Sequence, residues 1–271
     1  MRLHLPGTAA LALLAAGAAG PAQADGRLEA RYRMSVAGIA IGQSEIDAVI
    51  GSTDYASSAR GRASGLLRVL VTGEGSVSAR GAIVDGRPVP GSFASRTVGE
   101  DETTTVAMTL AGGDVKELSA GTSDPDAGRV PVTAADRKGI VDPLTAFLIP
   151  VGGDGDVVST RACGRTLPIF DGRRRYDLAL SFKRIERVKA DTGYAGPAVV
   201  CAVAFTAIAG HRTDSPLVKY LAGGREIELA LAPIAGTRLL APFRLAIISM
   251  LGDIVIEATA FETTAAPAAA R

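Results

Sequence analysis

The chain has 271 residues, 47% of them hydrophobic but only 4% aromatic, and its 29 basic and 28 acidic residues give a formal net charge of +1. A chain without a basic excess lacks the electrostatic footprint for nucleic acid or anionic lipid, so we expect neither as a partner. Its length is enough for one large β domain or two small ones, with a sizeable core.

Residues 1–24 have the features of a secretory signal peptide. Arg2 provides a positive start, residues 8–19 are apolar, and residues 22–24 form a small-x-small cleavage site. The apolar run is about a dozen residues long, short of the roughly 20 that span a bilayer, so a retained anchor is the weaker alternative. We therefore expect cleavage after Ala24, a periplasmic mature chain and no transmembrane segment in it.

Strict alternation of apolar and polar residues predicts antiparallel strands with one dry face. In residues 175–183, for example, Tyr176, Leu178, Leu180 and Phe182 share the apolar parity. The same period recurs in two further segments, residues 28–36 and 226–231. Three other segments are apolar at both parities: residues 66–71, 199–208 and 243–251. A closed or curved sheet, in which strands are covered on both faces, would explain them.

Turn signals divide the chain without marking a second domain. Asp-Gly pairs at residues 85–86 and 171–172 predict hairpins. Residues 111–137 mix Gly, Asp, Ser and Pro without clean periodicity, which indicates a long connection. We expect one antiparallel β domain over residues 25–262, followed by a disordered Ala-rich tail at residues 263–271.

Helical signals are short. Asp142 is a good N-cap, Pro143 stands at the first helical position, and the predicted helix continues to Ile149 before Pro150 ends it. A second short helix is predicted over residues 216–221. Helices of this length cannot supply the crossovers of a parallel sheet, so the pattern predicts a mostly β fold with one or two short helices.

Cys163 and Cys201 are the only two cysteines. In an oxidising compartment they are expected to form one disulfide, with two buried free thiols as the alternative. Cys163 shares parity with the apolar Leu167 and Ile169, which places it on an inward face. Because next-but-one strands lie about 9–10 Å apart, a bridge requires neighbouring strands, strands that curl together, or a meeting at a loop end.

The order of several short segments is similar to that of a known family. The segments are residues 38–42, 141–146, 170–178, 196–201 and 208–211, followed by a C-terminal hairpin. This order resembles DUF3108, a bacterial family of exported proteins of unknown function, over nearly the whole mature chain. The resemblance implies export, an antiparallel sheet curved into a half-barrel or open barrel, and no cofactor. The family has no settled biochemical activity that could be assigned to this chain from the resemblance.

One polar cluster is a candidate contact site. Asp171, Arg173, Arg174, Arg175 and Asp177 surround a tight turn, and such a cluster could bind a carboxylate, phosphate or sugar. The stronger interpretation is structural. In it the Asp-Gly pair makes the hairpin, and Arg173, Arg175 and Asp177 point outward as a charge ladder across strands.

Catalytic and metal-binding patterns are missing from the sequence. His211 is the one histidine left after cleavage, and no nucleophile context accompanies it. One histidine and two separated cysteines cannot make a zinc tetrad, and residues 99–102 lack the spacing of a calcium loop. A hydrolase using Asp171 and Asp177 as paired carboxylates is the weakest hypothesis. We therefore predict no enzyme, no metal and no cofactor.

The leading hypothesis is a non-enzymatic periplasmic β domain whose concave apolar face binds a lipid-like or acylated ligand, or a partner's apolar segment. It derives from the mean hydropathy of +0.25 in a chain so poor in aromatic residues. The alternative is an envelope scaffold or assembly factor that uses residues 173–175 as its contact with another protein. A cavity of some hundreds of Å³ would favour the first hypothesis.

Overall fold

The first half of the chain folds as an antiparallel meander in which each strand pairs with the next. The computed structural model describes residues 26–63, 74–99, 103–121, 128–248 and 252–265. The predicted signal peptide and the apolar run at residues 66–71 lie outside these ranges. The strands of the first half are β1 (Gly26–Val36), β2 (Ile39–Ile50), β3 (Asp54–Ala63), β4 (Glu74–Val84), β5 (Arg87–Val98), β6 (Thr103–Ala111) and β7 (Asp114–Ala120).

The second half adds the remaining strands and two short helices. The strands are β8 (Ile149–Pro150), β9 (Arg165–Phe170), β10 (Arg175–Lys189), β11 (Thr192–Gly193), β12 (Ala195–Ala209), β13 (Glu226–Pro233), β14 (Leu239–Ile248) and β15 (Ile254–Ala265). The helices are α1 (Pro143–Ala146) and α2 (Pro216–Ala222), with single 3₁₀ turns at Ala135–Arg137 and Thr160–Ala162. The last strand, β15, pairs with the first, β1, and so joins the two halves into one sheet. Its order is β7-β6-β5-β4-β3-β2-β1-β15-β14-β13-β12-β10-β9.

The two ends of this sheet meet through the segment that precedes α1. Ile140 donates its backbone N–H to Gly113 in the β6–β7 turn at 2.8 Å, and Val141 donates to Pro168 of β9 at 2.9 Å. The β9–β10 turn packs against the first half so closely that a Cβ on Gly172 would lie 2.2 Å from a methyl group of Val106. The predicted mostly β fold, an antiparallel sheet curved into an open barrel with two short helices, is confirmed.

The inside of the barrel is filled by apolar side chains that point inward along the strands. Phe170, Phe243, Phe261 and Leu28 are completely buried. The predicted dry face of β1 is confirmed at Leu28, Ala30 and Tyr32, which are buried, whereas Val36 at the end of the strand is exposed. The packing therefore thins toward the β1–β2 turn.

Helix α1 lies inside this core and is anchored by a buried carboxylate. Asp142 is completely buried and caps the helix, accepting the backbone N–H groups of Leu144 at 3.0 Å and Thr145 at 2.9 Å. The Thr145 hydroxyl donates to the other carboxylate oxygen and also hydrogen bonds with the Tyr55 hydroxyl of β3. Burial raises the pKa of Asp142, because no cation accompanies the carboxyl into the core.

Several sequence expectations are corrected by the structure. The predicted helix from Asp142 to Ile149 stops at Ala146, since Ile149 instead pairs with Leu240 of β14 as part of β8. The connection predicted over residues 111–137 contains β7, whose residues are exposed or half-buried throughout and so lack the alternation that marks a strand.

Two further expectations are corrected by the structure. Phe182 is 45% exposed although it pairs with the buried Cys201 of β12, so it lies on the predicted face of the strand but is not covered by the core. The prediction of disorder from Thr263 is wrong for residues 263–265, since β15 continues to Ala265 and Thr263 pairs with Leu28. Residues 266–271 lie outside the described part of the chain.

The disulfide between Cys163 and Cys201 is present, with the two Cα atoms 5.8 Å apart. Cys201 faces the core from β12, but Cys163 ends the 3₁₀ turn before β9 instead of lying in that strand. β10 separates β9 from β12, so only a residue outside the β9 ladder can reach across it. The bridge is therefore a meeting at a loop end, one of the three arrangements that the sequence allowed.

We predict that replacing both Cys163 and Cys201 with Ala lowers the free energy of unfolding by about 4 kcal/mol, because the bridge closes a loop between residues 38 positions apart. Urea denaturation under oxidising conditions measures the loss. In excess reductant the wild type and the variant should converge. A wild type whose unfolding midpoint does not respond to reductant would contradict the prediction.

The raised pKa of Asp142 predicts that the stability of the protein depends on pH. Since the pKa of this carboxyl is raised in the folded state, its contribution to stability is present below its ordinary pKa of 3.8 and is lost as the pH rises through the raised value. The free energy of unfolding of the wild type, relative to Asp142→Asn, should therefore fall as the pH rises above about 4. Urea denaturation at a series of pH values tests it. Asp47→Asn, at an exposed position of β2, controls for the loss of one acidic group, and a pH-independent difference would refute the assignment.

Candidate ligand-binding site

The concave face of the sheet carries an apolar cavity of about 420 Å³. Inward residues of neighbouring strands form most of its wall, including Leu178 of β10, Val203 of β12, Leu229 of β13 and Leu245 of β14. Each belongs to a period-2 pattern that places alternate side chains on one face of a strand. The volume lies within the range of roughly 300–1,000 Å³ found for ligand sites.

Short helical segments contribute to the same wall. Ala146 of α1 and the adjoining Phe147 line the cavity, and Leu221 of α2 adds another apolar side chain. Pro143 at the start of α1 also faces it. The Asp142 cap thus fixes part of the cavity wall by holding α1 in place.

Polar groups around the cavity are few, and two of them, Tyr32 and Arg244, are engaged within the protein. The Tyr32 hydroxyl donates to the Pro242 carbonyl at 2.7 Å, and burial raises the pKa of that phenol. Arg244 is paired with Glu186 at 2.5 Å. The surface left for a ligand is consequently hydrocarbon-like, suited to acyl chains more than to sugars or nucleotides.

The predicted polar cluster at the β9–β10 turn is assembled mainly by contacts within the protein. Asp171 accepts the backbone N–H groups of Arg173 at 2.8 Å and Arg174 at 2.6 Å, which closes the turn. Arg175 donates to Asp177 at 2.5 Å, and its side chain is only 12% exposed. This pair lies along β10 rather than across strands, so the expected cross-strand ladder is absent at these residues.

Arg173 has a role that the sequence did not reveal. Its guanidinium donates to the carbonyl of Gly121, which follows β7, and thereby ties the β9–β10 turn to the opposite end of the sheet. Only Arg174 of the three arginines has a side chain that is more than half exposed, at 56%. These contacts agree with the structural interpretation of the cluster.

His211 lies beyond the end of β12 and is half-buried. Its carbonyl accepts the backbone N–H of Val130 at 2.9 Å, and its Nδ1 has no hydrogen-bond partner within the described structure. Among residues 26–63, 74–99, 103–121, 128–248 and 252–265, no group of three or more His, Cys, Asp or Glu side chains is arranged to hold a metal ion. In the same ranges, no helix is both long and apolar enough to cross a membrane.

An ion-pair network across β10, β13 and β14 was missed by sequence reasoning. Arg184 of β10 donates both terminal nitrogens to Glu228 of β13 at 2.8 Å, and Lys183 also pairs with Glu228. Arg184 and Arg244 share Glu186. The Arg184 guanidinium is the main reason why the pKa of Glu228 falls to about 2. Alternation marks Lys183 and Glu228 as outward, but Arg184 shares the parity of the apolar Leu180. The bulge between Phe182 and Arg184, together with the strand register, brings Arg184 to Glu228.

Comparisons with known proteins agree with the sequence resemblance. Residues 31–259 match the family described as protein of unknown function, DUF3108. No protein of curated function matches the chain. Among solved structures, a β-barrel-like protein of the domain of unknown function DUF1849 from Brucella abortus is similar at 11% identity over 89% of this chain and 98% of that one, with a TM-score of 0.46. A candidate lipoprotein from Parabacteroides distasonis is similar at 8% identity over 89% and 96%, with a TM-score of 0.31. The match over residues 31–259 shows that the chain belongs to the DUF3108 family.

Proposed function

We propose that the protein is a non-enzymatic component of the periplasm that binds the hydrocarbon part of a lipid-like or acylated ligand in the apolar cavity. The observation that carries this proposal is the cavity itself, about 420 Å³ of space lined by inward strand residues. Close-packed interiors leave few voids larger than a water molecule, so a space of this size on a concave face is a feature of the fold that calls for an occupant.

The energetics suit a reversible carrier. Each buried methylene contributes about 0.8 kcal/mol, so a chain of about ten methylenes would gain roughly 8 kcal/mol before the cost of association. That cost is at least about 4 kcal/mol, which leaves a modest affinity for the acyl chain alone. A ligand held this way can be taken up and released without a chemical step.

The alternative hypothesis, a scaffold acting through residues 173–175, has less support. Arg173 and Arg175 are committed to contacts within the protein, and Asp171 is committed to closing the turn. A surface that presents mainly Arg174 offers little area for a partner. The same engagement of Asp171 by backbone N–H groups weakens the paired-carboxylate hypothesis.

We predict that Ile247→Trp, which fills part of the cavity, weakens binding of a fluorescent long-chain fatty acid by about tenfold or more, since the bulky ring displaces several methylenes. Ile248→Trp is the matched control, because the neighbouring residue points to the other face of β14 and is 38% exposed. Fluorescence titration of the delipidated protein gives both affinities, and native mass spectrometry shows whether lipid accompanies each variant from the periplasm.

Thermal denaturation of both variants separates loss of binding from loss of folding. The proposal fails if the delipidated wild type does not bind the fatty acid. It also fails if the variants at 247 and 248 bind equally well while both remain folded.

A further inference from the structure

A second concave site is lined by residues other than those of the apolar cavity. This second site is basic, whereas the apolar cavity is hydrocarbon-like. This cleft of about 820 Å³ is lined by the β4–β5 turn, the stretch just after α1, the residues around Cys163 and the β13–β14 turn. The segment from Pro143 to Asp154 lines the apolar cavity with its first half and the cleft with its second half. Four arginines line the cleft, Arg87, Arg161, Arg165 and Arg238, against the two carboxylates Asp85 and Asp154.

Three of these arginines are held by backbone carbonyls instead of carboxylates. Arg165 donates to the Arg161 carbonyl at 2.7 Å, Arg161 to Gly152 at 3.3 Å, and Arg238 to Val151 at 3.1 Å. Such bonds fix the direction of a guanidinium but leave its charge in place. Within the described ranges none of the four arginines lies in an ion pair.

Arg165 and Arg87 bring like charges together in this cleft. Arg165 is half-buried, and its Nε is buried without an acceptor. Burial and the charge of Arg87 both lower the pKa of Arg165. By contrast, Arg184 and Arg244 are neutralised by Glu228 and Glu186. In the cleft, Arg165 and Arg238 are half-buried and Arg87 and Arg161 are exposed, and none of the four has a carboxylate in salt-bridge contact within the described structure.

Glycines shape the wall of the cleft next to these side chains. Gly153 has a φ of 78°, and a Cβ there would lie 2.3 Å from the Arg161 guanidinium. A side chain at this position would be strained and would also displace the arginine. The loop is thus compatible with an open cleft in which guanidinium groups and bare backbone face the same space.

We propose that this cleft binds a phosphate group. Planar guanidinium groups donate paired hydrogen bonds to phosphate oxygens, and an excess of two positive charges matches a phosphate dianion better than a single carboxylate. The volume exceeds the needs of a free phosphate ion, so the group can be carried by a larger molecule. Free phosphate and a phospholipid headgroup share this chemistry, and the experiment distinguishes them.

The test measures binding to the purified protein at constant ionic strength. Calorimetric titration uses inorganic phosphate and pyrophosphate, and cosedimentation uses phosphatidylcholine vesicles with and without phosphatidylglycerol. Arg87→Gln and Arg165→Gln should each weaken binding about tenfold or more, the effect of losing a charge-assisted contact. No hydrogen bond from the Arg87 side chain is found in the described structure, and its backbone pairs with Val84 in the β4–β5 hairpin, so replacing the side chain removes charge without loosening the turn. The control is Arg96→Gln, an exposed arginine of β5 outside the cleft.

Binding of inorganic phosphate or pyrophosphate that depends on Arg87 and Arg165 supports the site with a soluble ligand. Binding confined to phosphatidylglycerol vesicles, with the same dependence, supports it with a lipid headgroup as the source. The proposal is overturned if the wild type binds neither form. It is equally overturned if Arg96→Gln weakens binding as much as the cleft variants do, since binding would then follow net charge alone.

Discussion

The buried carboxylate of Asp142 is the constraint around which the barrel is organised. It caps a helix of a single turn that could not persist alone, because helix nucleation is unfavourable and so short a helix gains little from propagation. Through Thr145 the same carboxylate is linked to Tyr55 in the first half of the chain. The residues just before the cap, Ile140 and Val141, bridge the two ends of the sheet. The contacts that close the barrel therefore adjoin the cap that fixes the position of α1.

This arrangement divides the interior into surfaces of different chemistry. The side chains on one side of the segment that follows Asp142 are apolar and border the cavity proposed to hold acyl chains. Residues further along the segment border the arginine-lined cleft. An amphiphile likewise has a hydrocarbon part and a charged group. The apolar cavity and the cleft are nevertheless lined by different residues, so they are two separate sites. The disulfide at Cys163 stands beside the cleft and restrains the loop that carries Arg161 and Arg165.

The features that could be predicted from the sequence are those set by local periodicity and local chemistry. The alternation around Leu28, the Asp-Gly turn at residues 85–86 and the Asp142 cap each depend on neighbours within a few positions, and each was found where expected. Inward residues such as Leu178 and Val203 were likewise identifiable.

What could not be predicted depends on register between distant strands. Arg184 and Glu228 are separated by 44 positions, and nothing in either local pattern says that they meet. Arg184 reaches the face of Glu228 through a bulge in β10, and a bulge is a property of a strand pair. The cleft arginines come from three separate segments of the chain, around Arg87, around Cys163 and around Arg238, so their juxtaposition exists only in the folded chain.

The pairing of β1 with β15 has a consequence for how the protein is made. Gly26 lies opposite Ala265, so the inner edge of the first meander stays open until the final strand has emerged. Contacts of such long sequence separation slow folding, and an open strand edge is a template for aggregation. Vectorial synthesis delivers the closing strand last. A nascent chain would therefore depend on delayed folding or on chaperone protection of the β1 edge, and truncation before β15 would leave that edge permanently available to other chains.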